Sequence, residues 1–328
     1  MTNKVSVREK FLEGLVNQTV LILLVVFSVV MAAMNPRFLS WWNVQSILLE
    51  VSIYGVVACG MALLIICGEF DLSAPSQFMW AQILFVIIIN ATNQPWLAIG
   101  LTLLSGLAFG TLNGVIVTVL KVNAFVATLG TMVVFRGLAL VVTGGGMVST
   151  RNEFVRAFGG AEFLGLSVLF WIFALVVAIV SGLLSLTNFG RRVYATGGDP
   201  EVARLAGINT GFQKAACFSI MGVLCAIAGI MLVGQLRAGS TQYGVDLALT
   251  AVAATVIGGT RLGGGAGSAF RAAIGMLVLV VLYKALVFLG LQAYYQTLTQ
   301  GSVLVLVVLF DGYVARRRFR QAQEAATE

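Results

Sequence analysis

Apolar residues in this chain come in long runs, broken by short polar or glycine-rich stretches. A helix needs ~20 mostly apolar residues to cross the ~30 Å hydrocarbon core of a bilayer. Runs of this kind occupy 18–34, 45–67, 76–91, 96–120, 122–143, 165–187, 214–236, 245–258, 268–290 and 294–314. The eighth is too short to cross alone, and Gly258, Gly259 and the Gly263–Gly267 stretch let it continue as irregular backbone. Such backbone is tolerated at membrane depth only where protein or a watery cavity surrounds it. The pattern predicts an all-α polytopic membrane protein of about ten spans, some broken at glycine-rich loops. A single transmembrane domain over 18–315 lies between an N-terminal segment, 1–17, and a basic tail, 316–328.

Composition supports the pattern. Of 328 residues, 59% are apolar and 10% charged, against about a quarter charged in soluble domains. Too few charges remain to coat a water-facing surface, so most of the exterior meets lipid. A soluble enzyme, a disordered chain and a nucleic-acid binder are excluded. The net charge of +7 sits at segment ends and is topological. Lys4, Arg8 and Lys10 place the N-terminus in the cytoplasm, and Arg316, Arg317, Arg318 and Arg320 place the C-terminus there too. The 188–214 loop, with Arg191, Arg192, Arg204 and Lys214, should also be cytoplasmic. Six spans before it and four after satisfy these constraints, with eight spans as the fallback. The N-terminal charges and the run that follows resemble a signal peptide, but a first span is the simpler account.

Within 188–214, Asp199 is placed to cap a helix and Pro200 to open it. Glu201 complements the positive end of the helix dipole, and Gly207 is placed to stop the helix. Val202, Leu205 and Ala206 form one apolar face. About two turns of helix are too short to persist alone. The element either lies on the lipid surface or is a peg for a groove on a cytoplasmic partner.

Several chemistries are missing. The chain has no histidine, which excludes His-based acid–base catalysis and His-ligated metals. Cys59, Cys67, Cys217 and Cys225 lie in apolar runs without C-x-x-C spacing and read as small buried hydrophobes. No G-x-x-x-x-G-K-[ST] phosphate loop is present, so any ATPase must be a separate chain. No cofactor or metal is expected. Gly68-Glu69-Phe70-Asp71-Leu72-Ser73 and Gly258-Gly259-Thr260-Arg261-Leu262-Gly263 each end one apolar run and precede another. They raise a two-half internal repeat of the kind found in transporters.

These residues carry a family resemblance. The first of the two stretches is similar to the G-G-I-D-L-S of membrane permease subunits of ribose-type ABC sugar importers. Leu112-Asn113-Gly114, Lys121-Val122-Asn123-Ala124-Phe125-Val126-Ala127-Thr128-Leu129-Gly130 and Arg136-Gly137 follow in the same order. Gly190–Gly198 with Ala203–Ile208 resembles the family's cytoplasmic coupling element, and Val256–Thr260 and Tyr294-Tyr295-Gln296 complete the set. The resemblance spans roughly 18–314.

It implies an import channel in the bacterial inner membrane, worked by alternating access. The implied partners are two cytoplasmic ATPase domains on separate ABC ATPase chains, a second permease subunit and a periplasmic sugar-binding protein. Asp199, Pro200, Glu201, Arg204 and Leu205 carry over as ATPase-coupling candidates. The chain departs from the family at Ala74-Pro75-Ser76, Arg261, Ala266, Ala248-Leu249-Thr250, Arg271-Ala272 and Tyr283-Lys284-Ala285. These departures leave the solute open and raise pairing with a second, different permease.

A charge at mid-bilayer costs at least ~2.5–3.5 kcal/mol, so each asks for a partner or a cavity. Arg136 is expected to pair with Glu50 or Asp71, or to face the path and donate to sugar hydroxyls. Asp71 is expected to orient the glycine break by accepting backbone N–H bonds. Glu50 reads as an ion-pair partner or an interfacial residue, and Lys284 as a side chain snorkelling to the membrane edge. Asp71, Asn113, Thr128 and Arg136 are the translocation-path candidates, with Gln77 and Thr131 beside them. An ion-coupled secondary transporter of a small polar solute is the alternative, but acidic residues inside spans are few. An intramembrane enzyme without histidine would need a serine–lysine or paired-aspartate site; Asp71 and Asp246 are the only plausible pair of aspartates, and nothing in the sequence places them together.

Overall fold

The computed structural model describes residues 24–292 and part of 294–312. The segment 1–17 and the tail 316–328 lie outside the described residues. The expected first and last spans, 18–34 and 294–314, are described in part. The helices are α1 (Leu24–Met34), α2 (Trp41–Ile66), α3 (Ala74–Thr92), α4 (Pro95–Thr118), α5 (Ala124–Thr143), α6 (Glu153–Gly160), α7 (Val168–Leu186), α8 (Asn188–Gly198), α9 (Pro200–Leu205), α10 (Thr210–Leu236), α11 (Leu247–Ile257) and α12 (Ala269–Phe288). Strand is confined, among the described residues, to two antiparallel pairs. β1 (Val148–Ser149) pairs with β4 (Ala238–Gly239), and β2 (Glu162–Phe163) with β3 (Leu166–Ser167).

The chain is thus an all-α polytopic membrane protein. Seven described helices (α2, α3, α4, α5, α7, α10 and α12) are long and apolar enough to cross a bilayer. α1 and α11 are shorter, so the expected count of ten is not reached among the described residues. α11 stops at Ile257, and residues 258–268 continue as turns and bends, the irregular backbone expected after the eighth run.

A helix that is apolar all round belongs inside. α2 and α10 are the central pair, with 83% and 72% of their most apolar window buried, whereas α4, α5 and α7 bury 28% each and expose the rest. α10 packs most extensively along α4. A β-carbon on Gly106 or Gly110 of α4 would fall 2.4 Å from the Gly222 carbonyl oxygen or 2.3 Å from that of Phe218. Small residues bring the two backbones together, as membrane helices do where lipid offers no hydrophobic drive to associate. The helix ends are capped by side chains. Ser40, Asn123, Ser167 and Asn209 accept from backbone N–H groups at the starts of α2, α5, α7 and α10.

Candidate functional site

The polar stretch 188–214 folds as more than a loop. α8 occupies 188–198, α9 follows after Asp199, and residues 210–214 already belong to α10. α9 is six residues long, close to the two turns expected. Asp199 Oδ1 accepts from the Glu201 and Val202 amides at 2.9 and 3.0 Å, and Pro200 opens the helix. Gly207, at φ +81°, ends it, and the Ile208 N–H reaches back to the Ala203 carbonyl at 3.0 Å. Arg204 forms an ion pair with Glu201. The apolar face points outward: Leu205 is 85% exposed and Val202 60%, while Ala203 is buried against the protein.

α8 joins this exposed tip to the membrane helices. Val193, Thr196 and Gly197 are buried. A β-carbon on Gly197 would fall 1.8 Å from the Ile66 carbonyl oxygen and 2.8 Å from the Gly265 amide nitrogen. One on Gly264 would meet the Gly197 carbonyl oxygen at 2.6 Å and the Gly68 Cα at 3.1 Å. The Gly265 N–H donates to the Ile66 carbonyl at 2.9 Å, and the Tyr194 hydroxyl donates to the Gly267 carbonyl at 2.9 Å. Burial raises the Tyr194 pKa and the Arg271 guanidinium opposes that rise; the net direction is up, so the hydroxyl keeps its proton to donate. Three backbone segments therefore meet without intervening side chains: the end of α2, the end of α8, and the loop after α11. Both glycine breaks noted in the sequence arrive at this junction, although about 190 residues separate them along the chain. Glu69, in the first break, forms an ion pair with Lys214 at the start of α10.

Beside the junction lies a buried polar cluster. Asp71 Oδ1 accepts from the Ser73 amide at 2.7 Å and the Ser73 hydroxyl at 2.6 Å, and Oδ2 accepts from Gln77 Nε2 at 2.8 Å. Asn113 Nδ2 donates to Ser73 Oγ at 2.8 Å. The Leu72 N–H donates to the Thr128 hydroxyl at 3.1 Å, and that hydroxyl donates to the Ala124 carbonyl at 2.7 Å. Asp71 turns the break, as expected, and its cluster ties α3, α4 and α5 together. Asp71, Asn113 and Thr128 are wholly shielded within the chain.

Arg136 stands apart. It is exposed on α5, and among the described residues it forms no hydrogen bond or ion pair. Neither expected partner is its own. Asp71 is satisfied by neutral donors, and Glu50 pairs with Lys284 at 2.9 Å. Lys284 also donates to Ser46 Oγ at 3.1 Å, so it is held by α2 rather than reaching for the membrane edge. Thr131 donates to the Thr128 carbonyl at 3.3 Å, one turn back along α5. All four cysteines are free and buried. Among the described residues no acidic and thiol side chains cluster to hold a metal ion.

Residues 43–308 match the family described as branched-chain amino acid transport system / permease component. The chain is 34% identical to the L-arabinose transport system permease protein AraH of Escherichia coli, over 89% of this chain and 90% of that one. It is 33% identical to the ribose import permease protein RbsC of Haemophilus influenzae, over 93% of this chain and 95% of that one. The corresponding figures for the ribose import permease protein RbsC of Bacillus subtilis are 36%, 88% and 90%. No solved structure matches.

Proposed function

The chain belongs to the permease-component family that its residues 43–308 match, and from that membership we propose that it is the membrane subunit of an ATP-driven ABC importer for a sugar or sugar-like solute. It is a transport component and not an enzyme; ATP hydrolysis belongs to separate cytoplasmic chains. The solute class follows the relatives, whose names are those of ribose and arabinose permeases. In this reading a periplasmic binding protein delivers the solute, and two permease subunits form an alternating-access path in the bacterial inner membrane.

One observation supports the coupling above all: α9 presents Leu205 and Val202 to solvent, while α8 is seated against backbone at the junction. An exposed apolar tip on a rigid base is what a docking peg requires. A movement imposed on α9 passes through α8 to the ends of α2 and α11 without flexible side chains to absorb it. Asp199, Pro200, Glu201, Arg204 and Leu205 make up the docking element. Arg136, exposed on α5, is the path candidate whose guanidinium has no partner among the described residues. Asp71, Asn113 and Thr128 hold the helices beside the path. Ten crossings with both termini cytoplasmic complete the topology, with residues 237–246 and α11 together making one crossing. The meeting of the two glycine breaks supports a two-half arrangement.

Gentle affinity purification from native membranes, followed by mass spectrometry, tests the reading. A co-purifying ABC ATPase chain is the expected result, and a second, different permease would distinguish a heterodimer from a homodimer. A chain that purifies alone and carries solute into liposomes on an ion gradient would overturn the reading in favour of a secondary transporter.

A further inference from the structure

α7 and α10 both pack against α2 and barely touch each other. A β-carbon on Gly55 of α2 would fall 2.5 Å from the Phe173 ring of α7, and one on Gly60 would fall 2.5 Å from the Met221 sulfur of α10. Held apart on this common backing, the two helices leave a groove of about 310 Å³ between them. Val176, Val180 and Leu183 of α7 line it with Val223 and Ile227 of α10, and Leu107 of α4 joins them. Ser219 also lies in the wall, but its hydroxyl is engaged by the Ala215 carbonyl at 3.0 Å and by Thr111 Oγ1 at 2.9 Å. Leu183 lies about 4.5 Å along α7 from its last residue, Leu186, and Val176 about 15 Å. The groove therefore runs from one membrane surface to the middle of a ~30 Å core, the depth of one leaflet.

Its surface end is basic. Gly190 of α8 abuts the end of α7, where a β-carbon would fall 2.5 Å from the Leu183 carbonyl oxygen and 2.1 Å from that of Leu184. Arg191 and Arg192 follow at once, and both are exposed. The Arg191 guanidinium donates to Asn188 Oδ1, which draws it back toward the α7–α8 corner rather than out toward α9.

An apolar slot one leaflet deep, with guanidinium groups at its surface end, matches hydrocarbon joined to a phosphate. Guanidinium groups bind phosphate through paired hydrogen bonds, and basic pockets between helices on the cytoplasmic side take anionic headgroups. Phosphatidylcholine brings its own cation beside the arginines, which offsets the attraction. A second copy of this chain would bring the same two arginines to the same leaflet, like charge facing like. We propose that one anionic phospholipid of the cytoplasmic leaflet docks here, with an acyl chain between α7 and α10 and its phosphate on Arg191 and Arg192. Bound in this way it braces α8, the base on which α9 stands. The choice of leaflet follows from the cytoplasmic placement of 188–214 in the importer reading above.

The test uses the transporter purified with its accompanying chains in neutral detergent, with dioleoyl phosphatidylglycerol and dioleoyl phosphatidylcholine as probes. Native mass spectrometry of an equimolar mixture should find phosphatidylglycerol retained at least fivefold over phosphatidylcholine. A ligand that binds only the folded state raises its melting temperature, so phosphatidylglycerol alone should raise it by about 3 °C. Arg191→Gln combined with Arg192→Gln should abolish both effects. Val223→Trp fills the groove, leaves the arginines intact, and should abolish them too. Should Val223→Trp fail to accumulate, Ile179→Trp carries the same test, because Ile179 lines the groove and is 58% exposed. Equal retention of the two lipids would overturn the site, as would unchanged retention in all the variants. Loss with the arginine changes alone would reduce it to charge attraction without a groove, and loss with the tryptophan changes alone to a groove indifferent to headgroup; either overturns the proposal. A permease–permease cross-link through Val223→Cys would put the second permease in the groove instead. Co-purification of an ATPase chain is read separately, so loss of the lipid site leaves the importer reading standing.

Discussion

Gly197 and Gly265 lie in backbone contact, the one ending α8 and the other in the loop after α11, with no room for a β-carbon on either. A methyl group on Gly265 would sit 2.6 Å from the Gly198 Cα, and one on Gly197 would be 1.8 Å from the Ile66 carbonyl oxygen. Overpacking of this kind typically costs about 1–3 kcal/mol and displaces backbone, and here the displaced backbone is the link between α8 and the membrane helices. Gly197→Ala should lower uptake at least tenfold. Gly137→Ala, which meets nothing within 4 Å, should leave uptake unchanged. Comparing the two variants by uptake at matched membrane abundance checks the role of the junction.

Leu205 is 85% exposed, so truncating it should change stability by no more than about 0.5 kcal/mol. If α9 docks on an ATPase, Leu205→Ala and Arg204→Ala should nevertheless lose uptake while insertion and thermal stability are retained. Normal uptake in both variants would remove α9 from the coupling path. Melting curves in detergent, run beside uptake assays, separate the two effects.

The exposed tip was legible in the sequence and its base was not, for a physical reason. Asp199, Pro200 and Gly207 are local signals, each acting within one turn of its own position. α8 contains Gly190, Gly197 and Gly198, and each glycine costs about 1 kcal/mol relative to Ala inside a helix. Propensity argues against that helix, and packing on α2 and the loop after α11 overrides it. Seven of the ten expected spans were legible for the opposite reason, because membrane thickness sets their length regardless of neighbours. Polar residues inside those spans stood out singly, so Asp71, Asn113 and Thr128 could be picked. Their assembly across α3, α4 and α5 is non-local and leaves no spacing signature.

The Asp71 cluster and Arg136 should behave differently when altered. Asn113→Ala removes a buried donor to Ser73 Oγ and should destabilise the protein by about 1–3 kcal/mol. Arg136→Gln touches no described partner and should leave the melting temperature unchanged, while uptake falls if the guanidinium faces the path. Thermal unfolding and uptake of the two variants assign one residue to structure and the other to transport.

Glu69 and Lys214 form a half-buried ion pair that fastens the first glycine break to α10. Hydrogen bonds to charged groups are worth about 1.5–3 kcal/mol. Either Glu69→Gln or Lys214→Met should therefore lower stability by an amount in that range, and the double variant should lose less than the sum. Additive losses in the cycle would show that the pair contributes nothing of its own.

Orientation can be tested because the four native cysteines are buried and leave little background for thiol labelling. Leu205 lies at the α8–α9 end of the bundle, and Leu164 lies in the β2–β3 turn at the opposite end, 76% exposed. If the basic 188–214 loop is cytoplasmic, Leu164→Cys should react with a membrane-impermeant maleimide in intact cells with the outer membrane permeabilised. Leu205→Cys should react only in inside-out vesicles. The reverse pattern would invert the bundle, place α9 out of reach of any cytoplasmic ATPase, and break the coupling argument at its first step. Labelling of both cysteines from one side would mean an even number of crossings between them where α7 alone is expected to cross, and would displace α7 from the membrane.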